Sequence, residues 1–245
     1  MENLLSQFEN SKDFAGKLDG QDPLGGFRAK FFVPIKPNGE EVLYFTGNSL
    51  GLQPRSTRQF IEQELKDWED LGVEGHFHAK NPWMPYHEFL TNAMANVVGG
   101  KPVETVVMNS LTVNLHLLMV SFYRPTAERY KIIIESDAFP SDKYAVKSQI
   151  DFWERRLEER RLPACNESEG RKPALIELTP RQGETTLRTE DIENTIAEHG
   201  DSIALIMLGG VNYYTGQAFD MKRITEAGHK SEQLSVLISL TPPET

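Results

Sequence analysis

The chain has 245 residues, a net charge of −10, 39% hydrophobic residues and 25% charged ones. That length supports one large domain or two small ones with a proper core, and the composition is that of a globular protein. The acidic average repels nucleic acid, and a single cysteine, Cys165, forbids an internal disulfide, so neither a nucleic-acid partner nor an oxidising compartment is expected. No apolar run approaches the roughly 20 residues that span a bilayer. The longest, residues 203–211, has the length of a buried strand. Residues 1–18 are amphipathic and lack the basic start and apolar core of a secretory signal. The expectation is a cytoplasmic protein with no membrane partner.

In chain order, residues 1–18 predict a short helix ending in a glycine-rich loop at 20–26. Residues 41–45 alternate like a strand and run into a turn at Gly47-Asn48-Ser49-Leu50-Gly51. After Pro54, residues 56–71 predict a helix with Phe60, Ile61, Leu65, Trp68 and Leu71 on one side. Residues 82–85 interrupt, and 86–98 predict a second helix stopped by Gly99-Gly100. Strands and helices then alternate: strand 105–108, helix 112–122, strand 131–134, helix 142–157, strand 174–178, a helix capped by Thr189, strand 203–208, and helix 221–227 with Gly228 at its end. Alternation of this kind predicts an α/β domain with a mostly parallel sheet and crossover helices. Residues 155–172 are highly charged and read as a surface excursion, and Arg155, Arg156, Arg160 and Arg161 are interleaved with glutamates like a solvated helix face.

Ligands of an open parallel sheet bind beyond the carboxyl ends of its strands. Three segments fall there. Residues 109–114 (Asn-Ser-Leu-Thr-Val-Asn) join a strand end to a helix start, where free N–H groups suit a phosphate and Thr112 adds a hydroxyl. An ordinary N-cap at Ser110 or Thr112 explains the same residues. Residues 137–142 offer the Phe139 ring for stacking and the Asp142 carboxylate as an acceptor. A buried Phe139 with Ser141 or Asp142 as helix cap is the plain alternative. Residues 209–216 combine glycines that permit close backbone approach with the hydroxyls of Tyr213 and Tyr214. His76 and His78 alternate without the carboxylate or thiol partners of a metal site, so no metal is expected. His116 lies on an apolar helical face, and His199 and His229 fall at helix ends, where the dipole favours cations.

Four strings, in this order and spacing, resemble kynureninase: Tyr44-Phe45-Thr46-Gly47-Asn48-Ser49-Leu50-Gly51-Leu52-Gln53-Pro54; Asn109-Ser110-Leu111-Thr112-Val113-Asn114-Leu115-His116-Leu117-Leu118; Ala138-Phe139-Pro140-Ser141-Asp142; and Tyr213-Tyr214-Thr215-Gly216-Gln217. The resemblance covers residues 27–229. It implies the fold type I of pyridoxal-phosphate enzymes, with residues 1–40 as an arm, 41–229 as a partial cofactor-binding large domain, and 230–245 as an aberrant tail. It implies a homodimer that uses pyridoxal phosphate to cleave a C–C bond of L-kynurenine or 3-hydroxykynurenine. The products would be alanine and an anthranilate, in tryptophan catabolism and NAD biosynthesis. By resemblance, Leu111 and Thr112 would bind the cofactor phosphate and Phe139 would stack on its ring. Pro140, Ser141 and Asp142 would complete that shell, with Tyr214 as a further candidate. Ser49 and His76 would contact the substrate.

The family pattern also implies what is missing. Beyond His229 the family continues with an aspartate for the pyridine nitrogen, a histidine, and the Schiff-base lysine. Here no lysine follows Lys230, and residues 230–245 match none of these. The expectation is a chain without kynurenine hydrolysis of its own. The alternatives are a non-catalytic dimerising or ligand-binding fragment of the same fold, or a desulfurase-like enzyme, against which the 47–54 string argues. Back-translated and read two bases later, residues 230–245 permit V-G-A-I-V-G-F-D-L-A-H-A-A-G-N, which suggests a shifted reading frame. Residues 152–172 also look long for the family, and Gly209 sits where some relatives carry a hydroxyl.

Overall fold

The computed structural model describes residues 8–47, 49–159, 173–230 and 235–238, with backbone alone for 156–159 and 235–238. Cys165, Asn48 and most of the 155–172 excursion and of the tail lie outside the described residues. The chain divides into two units, residues 1–86 and 87–245.

In the first unit, helix α1 (Lys12–Gln21) is capped by the Ser11 hydroxyl, which accepts from the Phe14 N–H at 3.1 Å. The cap explains why this helix starts at residue 12; residues 1–7 of the predicted helix lie outside the described residues. Residues 41–45 form no strand. Glu41 makes one isolated bridge to Ile35, while Leu43 and Phe45 are exposed and find no ladder among the described residues. The predicted turn is present: the Ser49 and Leu50 N–H groups both donate to the Thr46 carbonyl, and the Tyr44 hydroxyl donates to that of Leu50. Helix α2 (Thr57–Leu71) matches its expectation and ends at Gly72, whose φ of 54° suits glycine. Its apolar side, however, faces outward: Phe60, Ile61, Leu65 and Trp68 are exposed, whereas Asp67 is buried. The polar side packs because the segment that follows α3 (Gly75–His78) brings donors to it. The Lys80 N–H reaches Asp67 at 3.1 Å, and the Asn81 amide and Trp83 indole both reach Glu64 at 2.9 Å.

The second unit holds the sheet. The predicted helix over 86–98 is a 3₁₀ turn followed by α4 (Thr91–Val98) with Gly99 as its left-handed cap. Residues 105–108 are irregular rather than a strand. Their β-branched composition does not suffice without a paired neighbour, and Val106 is half exposed. Helix α5 (Leu111–Phe122) leads to strand β1 (Lys131–Glu135), α6 (Pro140–Glu159), β2 (Leu175–Leu178), α7 (Thr189–His199), β3 (Ile203–Gly209), α8 (Met221–Lys230) and β4 (Ser235–Ile238). Several boundaries differ from expectation by a few residues at most. Helix α6 begins at Pro140, a residue preorganised for the first helical position. Arg188 rather than Thr189 takes the N-cap place of α7. Gly228 is buried inside α8 instead of ending it.

All four strands are parallel, in the order β2-β1-β3-β4. Successive residues of β1 point to opposite faces. Ile132 and Ile134 join Leu115, Met119, Ala145 and Val146 of α5 and α6, while Ile133 joins Ile192, Ile196, Ile206 and Ile224 beneath α7 and α8. Both faces are therefore covered, and β1 and β3 are buried almost throughout. The chain leaves β1 toward β2 on one side and returns to β3 on the other. The crevice at the carboxyl ends of β1 and β3 is thus the topological switch point of the sheet.

Candidate active site

A small cleft opens at this switch point, lined by Glu135, Ala138, Phe139, Asp142, Met207, Leu208, Gly209, Val211 and Tyr213. Phe139 precedes the first residue of α6, and its carbonyl accepts from the Asp142 and Lys143 N–H groups. Phe139 is 44% exposed, so part of its side chain stays accessible to a ligand. The Tyr213 ring meets it edge-on, with centroids 5.2 Å apart and planes at 80°. Asp142 is buried beside it. Burial pushes its carboxyl above the usual aspartate range, and the Ser141 hydroxyl, which donates to it at 3.2 Å, pulls the other way. Pro140 is the N1 residue that aims this turn.

The phosphate candidates head α5, which packs on α6 through a shared core that includes Leu115. Ser110 occupies the N-cap place, yet its side chain caps none of the first-turn N–H groups. Ser110 is thus the N-cap residue by its backbone, whose carbonyl accepts from the Asn114 N–H, without a side-chain bond. Leu111 and Thr112 are exposed. The approach is held in shape by Asn109 and Asn114. Asn109 adopts a φ of 52°, a region asparagine tolerates, and its amide donates to the Asn114 side chain, which in turn donates to the Met108 carbonyl at 2.8 Å. A preformed helix start of this kind, without a side-chain cap, suits a phosphate, and the accessible part of Phe139 suits a flat heterocycle. The residues present fit pyridoxal phosphate.

Sequence reasoning missed the buried polar centre of the cleft. Glu135, at the end of β1, accepts from the Gly209 N–H at 3.1 Å and from the Asn212 amide at 2.5 Å. A glutamate ending an apolar strand was the available signal. Tyr214 follows Tyr213 and is 84% exposed, outside the cleft lining. Ser49 and His76 lie on the first unit. Ser49 is exposed in its turn, and the His76 ring is 3.0 Å from the Val73 carbonyl and edge-on to Trp83. His116 is half-buried on α5. Among the described residues no cluster could hold a metal ion.

Comparison with curated sequences shows 56% identity over 224 residues to a kynureninase from Koribacter versatilis, covering 91% of this chain and 49% of the relative. A kynureninase from Myxococcus xanthus is 54% identical over 222 residues, and one from Nematostella vectensis 46% over 233. The chain is thus similar to kynureninases over about nine tenths of its own length. It spans about half the length of the curated relatives it matches. No protein-family model matches it. Among solved structures, it resembles a C-DES mutant with glycine covalently linked to the PLP cofactor, with a TM-score of 0.62 at 11% identity. That superposition covers 87% of this chain and 49% of the other. The cystine C–S lyase C-DES with its product cysteine persulfide gives 0.56 at 10% identity. These likenesses give the fold as that of the type I pyridoxal-phosphate enzymes, which the family resemblance implied, while the strand–helix alternation predicted the parallel α/β sheet within it. Among the described residues no helix is long and apolar enough to cross a membrane.

Proposed function

We propose that this chain supplies the cofactor cradle of a cytoplasmic kynureninase-type hydrolase. That enzyme, a homodimer, cleaves L-kynurenine or 3-hydroxykynurenine to alanine and anthranilate or 3-hydroxyanthranilate. The observation that carries the reading is the 56% identity to a kynureninase, joined to a cleft that takes Phe139 and Asp142 from one family string and Tyr213 from another. Bound pyridoxal phosphate supplies an electron sink for breaking the C–C bond. Leu111 and Thr112 bind the phosphate at the start of α5. Phe139 stacks on the ring, Pro140 and Ser141 set the turn that presents it, and Asp142 completes the shell, with Tyr214 at its margin. Ser49 and His76 bind substrate.

The same reading takes the large cofactor-binding domain as residues 41–229, preceded by an arm at 1–40, with 230–245 out of the family's reading frame. In this reading the catalytic lysine is not among residues 231–245, and the 245-residue polypeptide tested by itself is expected to turn over no kynurenine and to act as a ligand-binding or dimerising piece. The encoding DNA tests the frame. Turnover of kynurenine to anthranilate by the 245-residue chain, above that of free cofactor, would refute its inactivity. Titration calorimetry with pyridoxal phosphate and with inorganic phosphate tests the cradle. Thr112→Ala should weaken both by on the order of 1 kcal/mol, one hydrogen bond. Phe139→Ala should weaken the cofactor alone, and equal loss of both ligands would remove its stacking role.

A further inference from the structure

Glu135 is buried, acidic, central to the cleft and given no part above. It sits at the end of β1 and bonds two points of the segment that leaves β3: the Gly209 N–H at 3.1 Å and the Asn212 amide at 2.5 Å. The carboxylate therefore ties the two strands across the switch point. Asn212 is itself buried, and its side-chain oxygen accepts three bonds: from the Tyr214 N–H at 3.0 Å, the Thr215 N–H at 2.9 Å and the Thr215 hydroxyl at 3.0 Å. With its amide on Glu135 and its oxygen on the turn, Asn212 can take one orientation only. The turn it organises carries Tyr213, whose ring meets Phe139. Its far end is anchored separately by the Gln217 side chain, which bonds both the N–H and the carbonyl of Leu187.

We propose that Glu135 is a positioning residue for the cofactor ring: through Asn212 it fixes the turn that presses Tyr213 against Phe139, and so sets the angle of the stacking face. The assignment rests on the reading of this cleft as the cofactor site. Its logic is one of donor and acceptor polarity. Glu135 offers only acceptors, and Asn212 meets it with its donor while keeping its acceptor for the turn. Glu135→Gln places an N–H group against a donor. Asn212→Asp places two carboxylates against each other. The double variant restores every bond and reverses only the one between 135 and 212: the glutamine oxygen accepts from Gly209, its amide donates to the new aspartate, and the second aspartate oxygen keeps the turn.

Two measurements on the 245-residue chain decide the matter. The first is amide hydrogen exchange at Tyr214 and Thr215 without any ligand. Each single variant should speed it by about tenfold, the loss of one bond to a charged group, and the double variant should return it to near the starting rate. The second is affinity for pyridoxal phosphate against inorganic phosphate. Each single variant should weaken the cofactor several-fold and leave phosphate unchanged, with recovery in the double variant. Exchange that stays slow in both single variants, or that fails to recover in the double variant, overturns the positioning role. Equal loss of both ligands overturns it too, since a loosened fold, not a misplaced ring, would then be the cause. A starting chain that binds neither ligand counts against the cofactor reading, while the exchange measurement still decides whether Glu135 sets the turn.

Discussion

The two units are held together by opposite means. In the sheet unit, isoleucines from β1, β3, α7 and α8 stack into a core with essentially no solvent exposure, and Glu135 and Asn212 sit at its rim. In the first unit, the only described residues that are buried are Asp67, Gly75 and Ala79. There, carboxylates of α2 gather donors from the following loop, while the apolar side of the same helix stays exposed. Helical periodicity thus identifies which side of α2 is apolar, but burial needs a second surface, and the loop after α3 offers hydrogen-bond donors instead. Gly75 shows how closely that loop packs. A Cβ there would stand 2.6 Å from the Trp83 ring, so only glycine permits the contact.

The contrast can be broken from either side. The largest effect is expected in the apolar core: Ile133→Ala should cost about 2–5 kcal/mol, read as a lowered urea midpoint of the sheet unit. In the first unit the same scale of loss should come from a polar residue. Glu64→Ala, which strands the Asn81 amide and the Trp83 indole, should cost about 1.5–3 kcal/mol, followed by tryptophan fluorescence. At the rim of the cleft the effect is smaller and depends on pH. Folded Asp142 keeps its proton to higher pH than an unfolded aspartate does, so the folded state binds more protons across that interval. Stability therefore falls as pH rises from the ordinary aspartate range through the raised value, and Asp142→Asn should flatten the fall in urea midpoints measured on either side. The smallest effect sharpens the comparison most. Trp68→Ser removes a large apolar side chain that is 65% exposed and should shift stability by no more than about 0.5 kcal/mol.

Where a segment's own pattern decides its structure, the sequence was enough. The fully apolar run at β3 and the alternation of strands with helices specified the parallel sheet, and the string at 138–142 supplies Ala138, Phe139 and Asp142 to the cleft lining, whereas none of 109–114 lines it. Where structure depends on a distant partner, the pattern misled: residues 41–45 and 105–108 have strand-like composition and no described strand beside them. The Glu135–Asn212 bond was invisible for the same reason, because 77 positions separate its ends. The rotation of α2 was equally hidden, since nothing local distinguishes a buried Asp67 from a solvated one.

Gly209 carries a consequence for how this protein can vary. A Cβ at that position would stand 3.1 Å from the Val211 carbonyl oxygen and 3.3 Å from the Glu135 carboxylate. A side chain at position 209 would therefore crowd the backbone of the turn as well as the acid opposite, and both would have to give by a few tenths of an ångström. Residues 135 and 209, far apart in the chain, are closely packed against each other, so the space at the end of β3 is set partly by the acid at the end of β1.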